Sequence, residues 1–263
     1  MFKRQQGFTL IELITVIVVI GILATMTTNI ITLPVNSYFD QQRRTTLVDN
    51  AESALRLMQR DIRRALPNSI RVSGGGTALE LLHTSNGGRY RAKLSADGSG
   101  DLLDFTAADG SFDVIGGLSS APTGELVIYN LGESLADAYA GDNRASLKDT
   151  STTTLINLAA AKKFPLQSPR QRFFIVDTPI SYRCDLPNKQ LLRYSGYAIS
   201  AAQANPPAGA AGQLQVNHVG ACSFAYASAT ANRSGLVTLQ ITLTDSAGES
   251  IRLIHQVHVD NAP

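Results

Sequence analysis

The residues whose types and spacing could do chemistry stand near the N-terminus, in Gly7-Phe8-Thr9-Leu10-Ile11-Glu12-Leu13. Glu12 is the one ionisable side chain in an apolar run from Phe8 to Leu33, which Pro34 ends. A carboxylate inside a membrane span costs about 2.5–3.5 kcal/mol on insertion scales, so it needs a partner. The same stretch supplies one. Cutting the chain between Gly7 and Phe8 creates an α-amine four residues before Glu12, about one helical turn away. A neighbouring helix offset along the membrane normal would then present its own amine to this Glu12. The chemistry such a cut would set up is charge pairing between chains.

Other candidate groups carry less. Lys3 and Arg4 precede the apolar run, so the positive-inside rule places the N-terminus in the cytoplasm and everything after Leu33 outside. Cys184 and Cys222, the only cysteines, both fall in that exported part. An even pair in an oxidising compartment most often forms a disulfide, which would contribute about 4 kcal/mol in the chain-entropy model. Two buried free thiols are the alternative; without a nearby histidine the pair makes a poor metal site. His255 and His258 are three residues apart, so on a strand they point to opposite faces and cannot share an ion. His255, in line with Ile251, Leu253 and Val257, reads as a hydrogen-bonded core histidine. Asp97-Gly98-Ser99-Gly100-Asp101 has the start of a calcium loop, but Leu102 and Ala108 stand where glycine and glutamate belong. Gly74-Gly75-Gly76 reads as a turn. The sequence has no Gly-x-Ser-x-Gly elbow, phosphate loop or His-Glu-x-x-His helix. We therefore expect no enzyme, no cofactor and no metal. Formal net charge is +2, and loss of Lys3 and Arg4 would leave zero, so no nucleic-acid partner is expected.

The elements that must position these groups follow from periodicity. As a helix, Phe8–Leu33 is about 39 Å long, against a hydrocarbon core near 30 Å. Its last third turns polar at Thr25, Thr27, Thr28 and Asn29, so the helix leaves the bilayer before Pro34. Pro34 should kink the helix without ending it, because the 3.6-residue period resumes in Leu47, Ala51, Ala54, Leu55, Met58, Ile62, Ala65 and Leu66. Arg43, Arg44, Asp49, Glu52, Arg56, Arg60, Asp61 and Arg63 form the opposite, solvated face, and Pro67-Asn68 stops the helix. Beyond Pro67 the period changes to two. Leu79–His83 and Tyr90–Leu94 read as a hairpin around Asn86-Gly87-Gly88. Further strands are expected at Phe112–Ile115, Glu125–Asn130, Arg172–Asp177, Ser181–Asp185, Gln190–Tyr194 and Ala221–Ala227. The plainest pair is Val237–Thr244 with Ile251–Val259, across Asp245–Glu249. Gly132–Lys163 is rich in Ala, Asp, Ser and Thr, with a short helix expected near Asn157–Lys163, and Ala201–Gly212 reads as a flexible loop.

Basic leader, Gly7, Phe8, Glu12 as fifth residue of the mature chain and a long apolar span together resemble the processing site of type IV prepilins and of type II secretion pseudopilins. An ordinary secretory signal has a shorter core and a small-x-small exit site, and a plain anchor leaves Glu12 unexplained. The resemblance implies that a prepilin peptidase cuts at Gly7-Phe8 and N-methylates Phe8, and that Glu12 serves subunit assembly. It implies a single pass in a bacterial inner membrane, with a periplasmic C-terminal domain. Its implied fold is α+β: a long N-terminal helix, half in the membrane and half amphipathic, packed on a β-rich, mostly antiparallel domain. The organisation is then leader 1–7, membrane half 8–33, amphipathic half 34–66 and globular domain 67–263. Leu57–Val72 is similar to the J-type minor pseudopilins and, more closely, to the O-type minor pilin of the mannose-sensitive haemagglutinin (MSHA) pilus, and Val176–Cys184 and Leu192–Tyr197 are similar to the O-type protein. Because the tip-most K-type pseudopilin usually lacks the glutamate that Glu12 supplies, this subunit is expected beneath another or as an ordinary minor component. Implied partners are other minor and major pilins or pseudopilins and the inner-membrane assembly platform. A competing reading is a pilin-anchored adhesion module; with no Trp among its residues, the sequence does not advertise an aromatic binding face.

Overall fold

The structure, a computed structural model, describes residues 7–228 and 234–259. Residues 1–6 of the expected leader 1–7 lie outside the described residues. The chain divides into two compact units, residues 1–48 and 49–263.

One helix, α1 (Leu10–Arg63), contributes to both units and runs through Pro34. In the first unit the segment Leu10–Thr27 has a mean hydropathy of 2.5 and no buried residue, which makes it long and apolar enough to cross a membrane. In the second unit the spacing of Ala51, Ala54, Leu55, Met58 and Ile62 puts them on one stripe, and all five are buried. The helix ends at Arg63, earlier than Pro67, because the chain turns there to pair with a strand. Leu66 N donates to Leu82 O at 2.7 Å, and Thr84 N donates to Arg64 O at 2.8 Å.

Among the described residues of the second unit twelve strands follow: β1 (Arg71–Ser73), β2 (Ala78–Tyr90), β3 (Asp109–Ile115), β4 (Glu125–Ile128), β5 (Arg144–Ser146), β6 (Leu155–Lys162), β7 (Arg172–Asp185), β8 (Gln190–Ser195), β9 (Gln213–Asn217), β10 (Val219–Ala227), β11 (Gly235–Thr244) and β12 (Ser250–Val259). All pairings are antiparallel, and the fold is α+β. The larger sheet runs β5-β4-β7-β2-β3-β6. Its two ends meet at a bridge between Leu147 and Leu158, and Lys148 N donates to Asn157 O at 2.8 Å. These six strands thus close on themselves, which removes the exposed edges an open sheet would carry. Tyr90, Phe112, Leu126, Ile156, Phe173 and Ile175 belong to the apolar cluster they share. Phe112 packs edge-on against Phe173 with ring centroids 5.5 Å apart. A second sheet, β10-β11-β12, stands apart from this path.

Three local expectations are corrected. Asn86-Gly87-Gly88 makes no hairpin: β2 continues through it in register with β7. Neither glycine has a positive φ, and a Cβ on Gly88 would stand 3.0 Å from both Phe173 and Leu118. The glycines are there for close packing of the backbone, with register shifts nearby, and not for a turn. Asn157–Lys163 is not helical, because most of it lies in β6, where pairing with β3 buries Ile156 and Leu158 and overrides the alanine run. Arg172–Asp177 and Ser181–Asp185 are one strand despite Pro179. On one side β7 pairs with β4 over Phe173–Val176 and with β8 over Ile180–Asp185, and Pro179 falls between the two partners. A missing N–H is tolerated at such a gap.

Candidate functional site

Gly7, Phe8 and Thr9 precede the first helical turn, and Phe8 is 80% exposed. A Cβ added at Gly7 would meet nothing within 4 Å, so the fold of this chain does not itself demand glycine there. Thr9 opens the helix. Its hydroxyl accepts from Glu12 N at 3.4 Å and donates to Glu12 Oε2 at 3.3 Å, while Leu13 N donates to Thr9 O at 3.3 Å. This Thr-x-x-Glu arrangement is a variant of the capping box, and Glu12 sits in the first turn, where the helix dipole favours a negative charge. Sequence reasoning assigned Glu12 to pairing between chains and missed Thr9. The Ser/Thr-x-x-Glu spacing would have found it.

Among the described residues no cation reaches Glu12; its one side-chain partner is the Thr9 hydroxyl. Leu10, Ile11, Leu13, Ile14 and Ile17 around it are all about half exposed or more. Three threonines of this segment bond within the helix. Thr15, Thr25 and Thr27 donate to the carbonyls of Glu12, Ile22 and Leu23 at 2.9, 2.8 and 2.7 Å. Such bonds let hydroxyls enter an apolar medium without water.

In the second unit the other predicted groups take structural places. A disulfide joins Cys184 on β7 to Cys222 on β10, with Cα atoms 6.0 Å apart, and so ties the two sheets together. Asp61 does not belong to the solvated face. It is buried, and its Oδ2 accepts from Tyr182 Oη and from Arg193 Nε, both at 2.8 Å. Burial, reinforced by the Asp61 carboxylate, pushes the Tyr182 hydroxyl well above its ordinary range, so it stays a donor. This triad fastens the last turns of α1 to β7 and β8. A second network gathers Arg71, Glu80, Tyr197 and Ser181. Glu80 accepts from Arg71 Nε at 2.6 Å and from Tyr197 Oη at 2.9 Å, and the Arg71 guanidinium lies 3.6 Å over the Tyr139 ring.

His255 departs from its expected state. It is half-buried on β12, and its Nδ1 is buried with no hydrogen-bond partner. His258 is exposed on the other face of the strand. Asp97 accepts from Ser99 N and Oγ at 3.0 and 2.6 Å, and Asp101 accepts from Ser111 Oγ at 2.6 Å; these carboxylates organise a turn. Among the described residues no group of three or more His, Cys, Asp or Glu could hold a metal ion.

Residues 2–28 match the family described as the prokaryotic N-terminal methylation motif. No curated protein and no solved structure matches the chain. The matched segment spans Gly7, Phe8, Glu12 and the exposed apolar helix. It supports a type IV pilin-like or pseudopilin subunit, a structural role, and its N-terminal helix is long and apolar enough to cross a membrane. It also implies processing by a prepilin peptidase and assembly with other pilin-type subunits.

Proposed function

We propose that this chain is a minor subunit that takes part in initiating or assembling a type IV pilus of the MSHA type. Prepilin peptidase cuts at Gly7-Phe8 and methylates the Phe8 amine, and Glu12 then guides the subunit into contact with its neighbours. The chain is anchored by residues 8–33 in the bacterial inner membrane, with residues 67–263 in the periplasm. The observation that carries the reading is the methylation motif at residues 2–28, which overlaps the exposed apolar helical segment Leu10–Thr27, where Glu12 is the one carboxylate. An unpaired carboxylate disfavours the solitary helix in lipid. A neighbour's N-terminal amine offers the opposite charge in low dielectric, where attraction is strong provided both charges are well placed. A methylated amine keeps its proton, so methylation preserves the attraction. The MSHA assignment draws on Leu57–Val72, Val176–Cys184 and Leu192–Tyr197; a J-like role in type II secretion draws on the first of these.

The deciding measurement is mass spectrometry of the mature N-terminus in the native membrane. We expect N-methylated Phe8. Gly7→Leu should abolish cleavage by crowding the peptidase site and leave the precursor in the inner membrane, since nothing in this chain opposes a side chain there. A mature chain starting at another residue would overturn the proposal.

A further inference from the structure

We propose that Arg89, Arg170 and Arg172 form a binding site for a phosphate group, at the place where β2 ends and β7 begins. The site lies outside the processing and assembly segment and does not rest on the pilin reading.

The register of the sheet brings the charges together. β2 and β7 pair as far as Arg89↔Arg172, so these two arginines stand directly opposite each other on one face. Like charges facing each other across a ladder oppose the pairing. The other cross-strand neighbour of Arg89 is Ile115 of β3, 43% exposed, which brings no countercharge. β2 and β7 are interior strands of their sheet, so these charges do not serve to guard an edge. Arg170, two residues before Arg172, adds a third cation. Two clefts of about 330 and 360 Å³ share Arg89 and Arg172 as walls, and Arg170 lines the second. Among the described residues neither cleft is lined by Asp or Glu.

The loop that carries Arg170 is held in place. Ser168 is buried, and its carbonyl accepts from Gln171 N at 2.9 Å and from Tyr90 Oη at 3.3 Å. Its hydroxyl accepts from Arg172 N at 3.1 Å, and Tyr90 N donates to Gln171 O at 2.9 Å. The turn, with Gln171 at a φ of 57°, is thus fastened to the end of β2, and a fixed arrangement of charges loses little on taking up a ligand. Beside the arginines the floor is bare backbone at Gly87, where a Cβ would stand 3.3 Å from the Phe174 ring.

The donors state the chemistry. Guanidinium groups offer rigid forks of N–H donors and stay charged at any working pH. One carboxylate would answer a single fork and leave a surplus of positive charge. A phosphate brings three acceptor oxygens and a charge of about −2, which suits three arginines around one cavity.

The test titrates inorganic phosphate into the full-length chain in a non-ionic detergent, read by calorimetry, with chloride at matched ionic strength as the control. We expect saturable binding that chloride does not reproduce. Arg89→Ala and Arg170→Ala, both at exposed positions, should each weaken it at least about tenfold, the loss expected for one charge-assisted hydrogen bond, with Tm unchanged. Arg170→Lys should recover only part of the affinity, because an ammonium is a point charge without the fork. Arg252→Ala, an exposed arginine on β12, should leave binding as it is. Glycerol phosphate separates the two sources of the group: tighter binding than inorganic phosphate assigns the site to a phosphate carried on a larger molecule, and equal or weaker binding to free phosphate. No saturable binding by the folded chain, or binding that survives Arg89→Ala and Arg170→Ala together, overturns the proposal and leaves the pilin reading intact. A mature N-terminus other than Phe8 overturns the pilin reading without touching this site.

Discussion

Replacing Glu12 separates the capping contact to Thr9 from the proposed charge pairing between chains. In Glu12→Ala the backbone N–H at position 12 still donates to the Thr9 hydroxyl, and only the contact from that hydroxyl to the carboxylate is lost. At 3.3 Å that contact is worth about 0.5 kcal/mol, so the helix start survives. Removing the charge from the span favours the solitary helix by about 3 kcal/mol, or roughly 100-fold in the balance between free and assembled subunit. Glu12→Gln keeps an oxygen for Thr9 and loses the charge. Thr9→Val keeps the charge and loses the cap, at about 1 kcal/mol. If charge drives assembly, Ala and Gln should both show at least a tenfold drop in cross-linking to partner subunits, Thr9→Val should stay near wild type, and all three should be cleaved. If capping is what matters, Gln should behave as wild type and Thr9→Val should fail. The assay is cross-linking to partner prepilins beside a pilus or secretion readout. Wild-type levels of both in Glu12→Ala would refute the mechanism and leave Glu12 a peptidase or insertion signal.

Other outcomes follow from the second unit. Asp61→Ala leaves the buried Tyr182 hydroxyl and the Arg193 guanidinium without their shared acceptor, and should cost about 3–5 kcal/mol in denaturant unfolding. Arg60→Ala on the exposed side should stay within about 0.5 kcal/mol, and a loss below about 1 kcal/mol for Asp61→Ala would contradict the buried triad. Cys184→Ser with Cys222→Ser opens a link spanning 38 residues and should cost about 4 kcal/mol, a drop in Tm of roughly 8–16 °C. Non-reducing peptide mapping that finds both thiols free would remove its basis.

What the sequence disclosed and what it concealed divide by the range of the interactions involved. The methylation motif at residues 2–28 was legible because its parts are neighbours in the chain and need no tertiary contact to be recognised. Even the missed Thr9 is a local pattern. β11 and β12 were legible for the same reason, since strict alternation is joined by a short turn. The errors arose where a distant partner decides the outcome. Asn86-Gly87-Gly88 carries turn chemistry, yet Phe173 and Leu118 pressed against Gly88 make it the close-packed middle of a strand. Ala159, Ala160 and Ala161 favour a helix, yet the strand pairing from Leu155 to Lys162 with β3 sets the backbone. Asp61 reads as one more charge on a solvated stripe until Arg193 and Tyr182, more than 120 residues away, turn it into a buried anchor. Closure through Leu147 and Leu158 leaves no periodic trace, because two aligned residues are too few to make a pattern. The same division accounts for the limits on function. Membrane insertion and processing are read by machinery that meets a linear segment, so their signals must be written locally. Any partner of the β-rich unit would meet a folded surface instead, and what that surface presents is settled by pairings between distant residues, as Asp61 with Tyr182 and Arg193 illustrates.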